Sequence, residues 1–516
     1  MILMWLILIP FVGGLLCWQA DRWGEAVPRW IALATMLFVL AISLVLWGTA
    51  DFSYSEADAM AGVSQWALQW QVPWIPRFGI SIHLAVDGLS LVLIGLTGFL
   101  GALAVLCSWR EIGERVGFFH LNLLWILGGV VGVFLAIDLF LFFLFWEMML
   151  VPMYFLIALW GHSGSEGRTR IRAATKFFIY TQASGLLMLA AILALVFIHH
   201  SQTGVYSFGY DVLRQGELSP TAAWWLMLGF FIAFAVKLPV VPFHGWLPDA
   251  HAQAPTAGSV DLAGILLKTA AYGMLRFALP FFPEASAEFA PVAMTLGVVG
   301  IIYGAVLACG QRDIKRLIAY TSISHMGFVL IAIYSGSTLA LQGAVVLMVA
   351  HAFSSAGLFI LSGQIYERLQ TRDMSRMGGL WGRLRSLPGF TLCFVVASLG
   401  MPGTANFIGE FMILFGTFPV APRVVVLACS GLVLAAIYSL MLMQRVHFGP
   451  AREDTPLGGL DRREYGMMLT ILVLVLWFGL YPQPLLDTTA SLMAQLGQLV
   501  PTGVGEVGGL LAGEAP

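Results

Sequence analysis

The chain has 516 residues, of which 59% are hydrophobic and only 10% are charged, and its mean hydropathy is +0.87. A soluble globular chain is about 25% charged, so this composition excludes a soluble fold and requires lipid as the solvent. The net charge of −2 and the absence of a basic tract give no reason to expect a nucleic-acid partner.

Apolar stretches that are long enough to cross a bilayer recur along the whole chain. About 20 apolar residues are needed for one crossing. We therefore predict an all-α, polytopic protein with about 14 transmembrane helices, forming a single membrane domain over residues 1–516. The first stretch has no Lys or Arg before it, so we expect a retained span rather than a signal peptide. The predicted spans are 2–19, 28–48, 86–108, 118–136, 139–160, 172–199, 222–240, 258–279, 289–309, 313–334, 340–367, 388–417, 421–445 and 465–484.

Lysine and arginine are distributed unevenly between alternate loops. Of the 26, 20 fall in or beside odd-numbered loops and 4 on the opposite side, and the last two, Lys237 and Lys268, lie inside spans. Positive residues favour the cytoplasmic side of short loops. We therefore predict a multi-pass protein of the bacterial inner (cytoplasmic) membrane, with both termini on the periplasmic side.

Two of the predicted spans contain helix-breaking residues. Span 7 runs into KLPVVP (237–242), and span 12 contains LGMPG (399–403). Proline inside a span frees a backbone carbonyl that protein or water must then satisfy, so such breaks are buried or line a wet cavity. Because the breaks are five spans apart, we predict two inverted five-helix repeats, 118–279 and 289–445, with broken helices 7 and 12. The alternative is a pair of ordinary proline kinks.

Four ionisable residues are predicted to lie in or beside the hydrocarbon region. Glu147 lies inside span 5, Lys237 precedes the first break, and Glu410 follows the second. Lys268 lies ten residues into span 8, which is about 15 Å at 1.5 Å per residue and half the hydrocarbon thickness. A charge at this depth is a functional-site hypothesis by default. The alternative is that these charges form structural ion pairs that only hold the helices together.

Proton transport requires groups whose charge can change inside the membrane. Burial favours the neutral forms of lysine and glutamate, whereas pairing restores both charges, so a Glu147–Lys237 pair predicts a switch. We expect Lys268 and Glu410 to continue the path, with His325 and His351 as relays, since imidazole titrates near physiological pH. Buried histidines also commonly serve only as hydrogen-bond partners, and that alternative stays open for both.

A further group of polar residues follows the first break. His244 and His251 lie near Asp249 and Trp246 in a segment that the charge distribution assigns to the cytoplasmic side. This segment is either a proton entrance or a solvated turn. The chain contains no haem or iron–sulfur ligand pattern, and its five cysteines are too dispersed for a metal cluster, so we expect no cofactor or metal in this chain.

Several long motifs resemble the antiporter-like proton-channel chains of respiratory complex I, the NADH–quinone oxidoreductase. They are DLFLFFLFWE (138–147), KFFIYTQAS (176–184), PFHGWLPDAH (242–251), APTAG (254–258) with the stretch leading to Lys268, DIKRLIAYTSISH (313–325) and GMPGTANFIGE (400–410). Together they extend over roughly residues 130–415, and the fourteen-span layout covers nearly the whole chain. Long strings of this kind are far more specific than a short glycine pattern.

The resemblance implies one of three sister proton-channel subunits in a hetero-oligomeric membrane complex. It implies that Glu147, Lys237 and Lys268 carry the proton path, and that flavin, iron–sulfur clusters and quinone belong to partner subunits. The terminal group in span 12 is lysine in the sister chains, so the glutamate at 410 points to one particular member of the set. Alternatives are a subunit of a multisubunit cation/proton antiporter or membrane-bound hydrogenase, a structural membrane scaffold, and a free-standing solute carrier.

Overall fold

The computed structural model of the chain describes residues 1–52, 65–162, 169–450 and 457–499. In this part of the chain, 13 helices are long and apolar enough to cross a membrane, and the shorter apolar helices Leu387–Ser398 and Ala405–Thr417 follow one another. With this pair counted as one interrupted span, the layout matches the predicted fourteen, and the all-α polytopic fold is confirmed.

The long helices are numbered in chain order, with the interrupted spans divided into halves a and b; the last of them, α15, is not one of the fourteen spans. They are α1 (Ile2–Ala20), α2 (Ala26–Thr49), α3 (Gly88–Glu111), α4 (Val116–Leu135), α5 (Leu139–Trp160), α6 (Arg170–Thr203), α7a (Pro220–Lys237), α7b (Leu247–Gln253), α8 (Thr256–Phe281), α9 (Pro283–Cys309), α10 (Ile314–Ile333), α11 (Thr338–Leu369), α12a (Leu387–Ser398), α12b (Ala405–Thr417), α13 (Pro422–Val446), α14 (Arg462–Leu480) and α15 (Gln483–Leu499).

Helices α8 and α11 form the centre of the molecule. The most apolar window of each is completely buried inside the chain, whereas only about a third of the corresponding windows of α2, α13 and α14 is buried. A helix that is apolar on all sides and buried on all sides belongs to the core, and one that is apolar and exposed faces lipid. Lys268 lies on α8 and His351 on α11, so both occupy the core.

The α7 span is interrupted after Lys237. Pro239 and Pro242 have no N–H to continue the backbone ladder, and the chain passes through a 3₁₀ turn, Phe243–Trp246, before α7b begins. The buried Trp246 indole donates to the carbonyl of Val236 over 2.8 Å. This bond satisfies a carbonyl at the end of α7a without water.

The α12 span is interrupted between Ser398 and Ala405. Gly400 and Gly403 adopt positive φ angles of 75° and 94°, which ends α12a and reverses the chain locally. A Cβ atom at position 400 would overlap Oε2 of Glu410, so the glycine also makes room for that carboxylate. The inverted symmetry of the segments 118–279 and 289–445 remains a prediction.

A two-stranded antiparallel hairpin between α2 and α3 was not predicted from the sequence. Strand β1 (Leu68–Ile75) pairs with β2 (Ile80–Val86), with Trp70 opposite Leu84. Asp138 joins β2 to the membrane helices, because one of its oxygens accepts from Ser81 N at 3.0 Å and the other caps α5 through Phe140 N and Leu141 N. The hairpin is therefore attached to the helix that carries Glu147.

A buried ion pair fixes the same end of the molecule. The Arg276 guanidinium on α8 bonds to Asp87, the N-cap of α3, and lies 4.8 Å from the centre of the Trp66 ring. Both side chains are almost fully buried. Removing one partner of such a pair leaves an uncompensated charge in a low-dielectric interior.

We expect Asp87→Asn to destabilise the protein by about 3–5 kcal/mol, because Arg276 then loses its counter-charge. Thermal unfolding and the abundance of the assembled complex on native gels measure this effect. The matched control is Asp211→Asn, which alters an exposed aspartate on the same side of the chain. Equal stability of the two variants would contradict the assignment of the pair as a structural anchor.

Candidate functional site

Lys268 lies between two π-helical turns of α8, Leu262–Leu266 and Met274–Ala278. A π turn shifts the backbone hydrogen-bond register, so a carbonyl becomes available to a side chain. Lys268 Nζ uses this opening and donates to the carbonyl of Ala263 at 2.5 Å. The side chain is fully buried, and no carboxylate forms an ion pair with it in the described part of the chain.

The second contact of Lys268 is with a histidine on the neighbouring central helix. Nζ of Lys268 lies 2.8 Å from Nδ1 of His351 on α11. The other ring nitrogen of His351, Nε2, is buried and has no hydrogen-bond partner within the described residues. His351 can thus accept a proton from Lys268 on one side and pass it on from the other.

His325 on α10 continues this line. The ring centres of His351 and His325 are 5.4 Å apart. Nδ1 of His325 lies 3.1 Å from Oε1 of Glu410 on α12b, and Nε2 lies 3.3 Å from the Ser398 hydroxyl at the end of α12a. Both histidine nitrogens therefore face the break in α12, and Glu410 is almost completely buried there.

Lys237 and Glu147 form a separate group in the other half of the molecule. Nζ of Lys237 is buried, has no hydrogen-bond partner among the residues that the structure describes, and lies 3.6 Å from the centre of the Trp146 ring, a cation–π contact. Glu147 is only partly buried, and its Oε1 also has no partner among the described residues. The two charges act on each other electrostatically, but no hydrogen bond or ion pair joins them.

The Glu147 carboxylate is packed against α6. A Cβ atom at Gly185 would overlap its Oε1, so a side chain at this position is incompatible with the observed carboxylate position. Gln182, one turn earlier on α6, lies within hydrogen-bonding reach of Glu147. The sequence could not indicate this contact, because α6 is apolar on several faces and gives no rotational signal.

The structure thus brings four predicted residues into one line and leaves two apart. Lys268, His351, His325 and Glu410 follow one another across α8, α11, α10 and α12. The expected direct Glu147–Lys237 pair is absent from this conformation, because the lysine rests on Trp146 instead. In the described part of the chain, no hydrogen bond connects Lys237 with Lys268.

In the segment after the first break, Trp246 and the two histidines are buried, whereas Pro242 is exposed and Asp249 is partly exposed. The choice between a proton entrance and a solvated turn stays a prediction. Trp246 and His251 are fully buried, and the His251 ring stacks on Phe359 at 4.6 Å. His251 lies within electrostatic range of Lys268, while both of its ring nitrogens lack hydrogen-bond partners in the described structure. His244 lies farther from this line and contacts the Tyr303 ring.

A set of ion pairs beside this segment was not predicted. Asp249 on α7b accepts from Lys176 on α6 at 2.7 Å and from Arg316 on α10 at 2.5 Å. Arg316 also bonds to the Gln311 side chain at 3.1 Å. This group ties together helices from the two predicted repeats, and all three charged residues occur within the motifs that carry the family resemblance.

Known proteins resemble this chain over nearly its whole length. The family described as "NADH:quinone oxidoreductase/Mrp antiporter, TM" matches residues 136–437, more than half of the chain. The NADH-quinone oxidoreductase subunit M of Escherichia coli (strain K12) is 65% identical over 96% of this chain and 98% of its own length. The subunit M of Pseudomonas aeruginosa is also 65% identical, over 96% and 97%. A chain in the structure "Respiratory complex I from Thermus thermophilus with bound NADH" is 28% identical, with a TM-score of 0.86 over 97% of this chain and 100% of that one.

The fold and the buried ionisable groups define an antiporter-like, proton-translocating membrane subunit. With these relatives, the chain belongs to the NADH-quinone oxidoreductase subunit M family. It is a subunit of an enzyme complex and forms a hetero-oligomer with other membrane subunits. The predicted function is confirmed, and so is the choice of this member among the three sister chains that the glutamate at 410 indicated.

The packing of Glu147 against Gly185 leads to a test. Gly185→Ala must displace the carboxylate, and we expect NADH-driven proton uptake to fall at least about tenfold, because small displacements of reacting groups have large effects on rate. Folding is expected to survive, since the displaced atoms are at the end of a flexible side chain. Proton uptake in inverted vesicles and complex abundance measure both effects.

The matched control is Gly466→Ala on α14, where an added Cβ meets no atom within 4 Å. If Gly185→Ala pumps like this control, the position of the Glu147 carboxylate does not matter for pumping.

Proposed function

We propose that protons pass through this chain along the buried line that leads from Lys268 to Glu410. One observation carries the proposal: the 2.8 Å contact between Lys268 and His351 and the 3.1 Å contact between His325 and Glu410 align on neighbouring helices. Burying several titratable groups in the membrane core costs free energy, and ionisable residues at such positions are by default functional-site hypotheses.

The contacts suggest an order of steps. A protonated Lys268 donates to Nδ1 of His351, which then releases a proton from Nε2. The 5.4 Å between the ring centres of His351 and His325 is crossed through a bridging water or by ring rotation. His325 delivers the proton to Glu410, whose carboxylate lies over the break in α12.

Glu147 and Lys237 control the supply of protons in this proposal. The conformation described here has Lys237 on the Trp146 ring and Glu147 turned toward α6. Bringing the carboxylate to the lysine stabilises the ammonium form, and moving it away favours release of the proton. His251, which lies in electrostatic range of Lys268 and His351, fits a cytoplasmic entrance, with His244 nearer the outside.

The setting of this path is part of the proposal. The chain lies in the bacterial inner membrane with both termini on the periplasmic side, beside its sister antiporter-like chains. Flavin, iron–sulfur clusters and quinone are held by partner subunits, and the energy of NADH oxidation and quinone reduction reaches this chain through them. Sister chains contacting α5 and α6 would lie next to the partly buried Glu147.

His351→Gln tests the line itself. Glutamine keeps hydrogen-bonding capacity but cannot titrate, so NADH-driven proton uptake is expected to fall at least about tenfold in an assembled complex. The control is His120→Gln, which changes an equally buried histidine on α4 that bonds only to the Val116 carbonyl. Uptake equal to wild type in His351→Gln would remove this residue from the path.

Glu147→Gln distinguishes a proton-translocating role of this chain from a purely structural one. If the chain translocates protons, the complex is expected to assemble, but proton uptake in inverted vesicles and coupled quinone reduction are both expected to fall by about tenfold or more. A scaffold whose charges only pair predicts unchanged uptake, because glutamine retains the shape and the polar contacts of the side chain. Glu288→Gln, an exposed glutamate on α9, is the control.

A further inference from the structure

Two adjoining cavities lie where α9 and α13 end. The larger, about 480 Å³, is an open cavity that is lined by residues of the segments 309–312, 374–378 and 444–450. The smaller, about 130 Å³, shares Met377 and Gly378 with it and extends to Arg383. Neither cavity contains any of the residues of the proton path.

Every charged side chain that lines these cavities, in the described part of the chain, is an arginine. Arg312 and Arg445 line the larger one, and Arg376 and Arg383 line the smaller. Guanidinium groups that face a common space repel one another unless an anion lies between them, and their planar donors match the oxygens of a phosphate.

The nearest acid offsets only part of this charge. Asp373 lies close to Arg312 and Arg376 but does not line either cavity. Burial raises the pKa of its carboxyl, but hydrogen bonds from Ser375 and the charges of the two arginines outweigh this and hold the pKa below its ordinary value. Asp373 is therefore ionised, and this one carboxylate offsets only part of the charge of Arg312, Arg376 and Arg445.

Arg445 is held at the cavity wall. Its Nη1 donates to the carbonyl of Gln311 at 3.0 Å, the one hydrogen bond described for this side chain. A guanidinium group has five N–H donors, so others can reach an oxygen in the cavity. Gln444 and Ser375 add neutral polar groups to the same wall.

The surroundings are those of a membrane interface. Exposed Trp381 stacks on exposed Phe448 with ring centres 5.3 Å apart, and aromatic rings of this kind concentrate at headgroup level. Beyond the cavity, the outer faces of α9 and α13 expose apolar side chains such as Val306 and Leu440. The basic cavity lies at the end of two apolar helix faces. This arrangement suits a lipid whose anionic headgroup binds in the cavity and whose acyl chains pack along the helices.

We propose that the larger cavity binds the phosphate group of an anionic phospholipid, held by Arg312 and Arg445, with its acyl chains along α9 and α13. Inorganic phosphate would form the same charge-assisted hydrogen bonds with the arginines, but it has no acyl chains to contact the apolar faces of α9 and α13. The site is independent of the proton path, so failure of either proposal leaves the other standing.

Photo-crosslinking of the intact complex tests the site. The complex is placed in phosphatidylcholine nanodiscs that contain a minor fraction of phosphatidylglycerol with a photoreactive headgroup, and labelled peptides are mapped by mass spectrometry. We expect label in 309–312 and 444–450, displaced by unlabelled phosphatidylglycerol and little affected by inorganic phosphate. Arg312→Gln with Arg445→Gln is expected to lower this label at least about tenfold, because charge-assisted bonds to phosphate are lost.

Arg462→Gln, an exposed arginine at the start of α14 that lines neither cavity, is the matched control and is expected to label like wild type. If the double variant does not assemble, Arg312→Lys with Arg445→Lys keeps the charges and is expected to show intermediate labelling. Absence of label from the cavity in the wild type, equal labelling by a phosphatidylcholine probe, or displacement by inorganic phosphate alone would each overturn the lipid assignment.

Discussion

Backbone carbonyls that lose their helical partners inside a membrane must find another donor within the protein, because hydrocarbon offers no water. The functional region of this chain is built around such carbonyls. Trp246 donates to the Val236 carbonyl next to Lys237, and Lys268 donates to the Ala263 carbonyl in a π turn. At Lys268, the irregular backbone supplies a polar partner for the buried amine, and the amine in turn satisfies the carbonyl.

Ion pairs outside the series from Lys268 to Glu410 hold the helices that carry it in position. At one end of α8, Arg276 is paired with Asp87, and beside α7b the Asp249 carboxylate holds both Lys176 and Arg316. The central helices α8 and α11 are surrounded on all sides by other helices of the chain. Lys268 on α8 and His351 on α11 therefore keep their separation of 2.8 Å without an ion pair between the two residues.

The spans could be predicted from sequence because long apolar runs and the lysine–arginine asymmetry are properties of local composition. The partners of each buried group could not. Helices that are apolar all round carry no amphipathic signal, so nothing local shows that His351 rather than another side chain faces Lys268, 83 positions away. The hairpin β1–β2 was missed for a related reason: its strands are short and lie outside every recognised motif. The ionisable residues themselves were predictable, because a charge in an apolar run is conspicuous whatever its partner.

The glutamate at the end of the line determines where energy must enter the proposed path. When a proton moves from the ammonium form of a buried lysine to a buried carboxylate, both groups become neutral, and in a low-dielectric interior the loss of two buried charges favours that step. A lysine at position 410 would only move a positive charge from one site to another, with no such gain. A path that ends on a carboxylate must then restore a buried negative charge when the proton leaves, so release rather than internal transfer is its uphill step. In the proposed path, the free energy from quinone reduction is therefore needed at the Glu410 end, beside the break in α12.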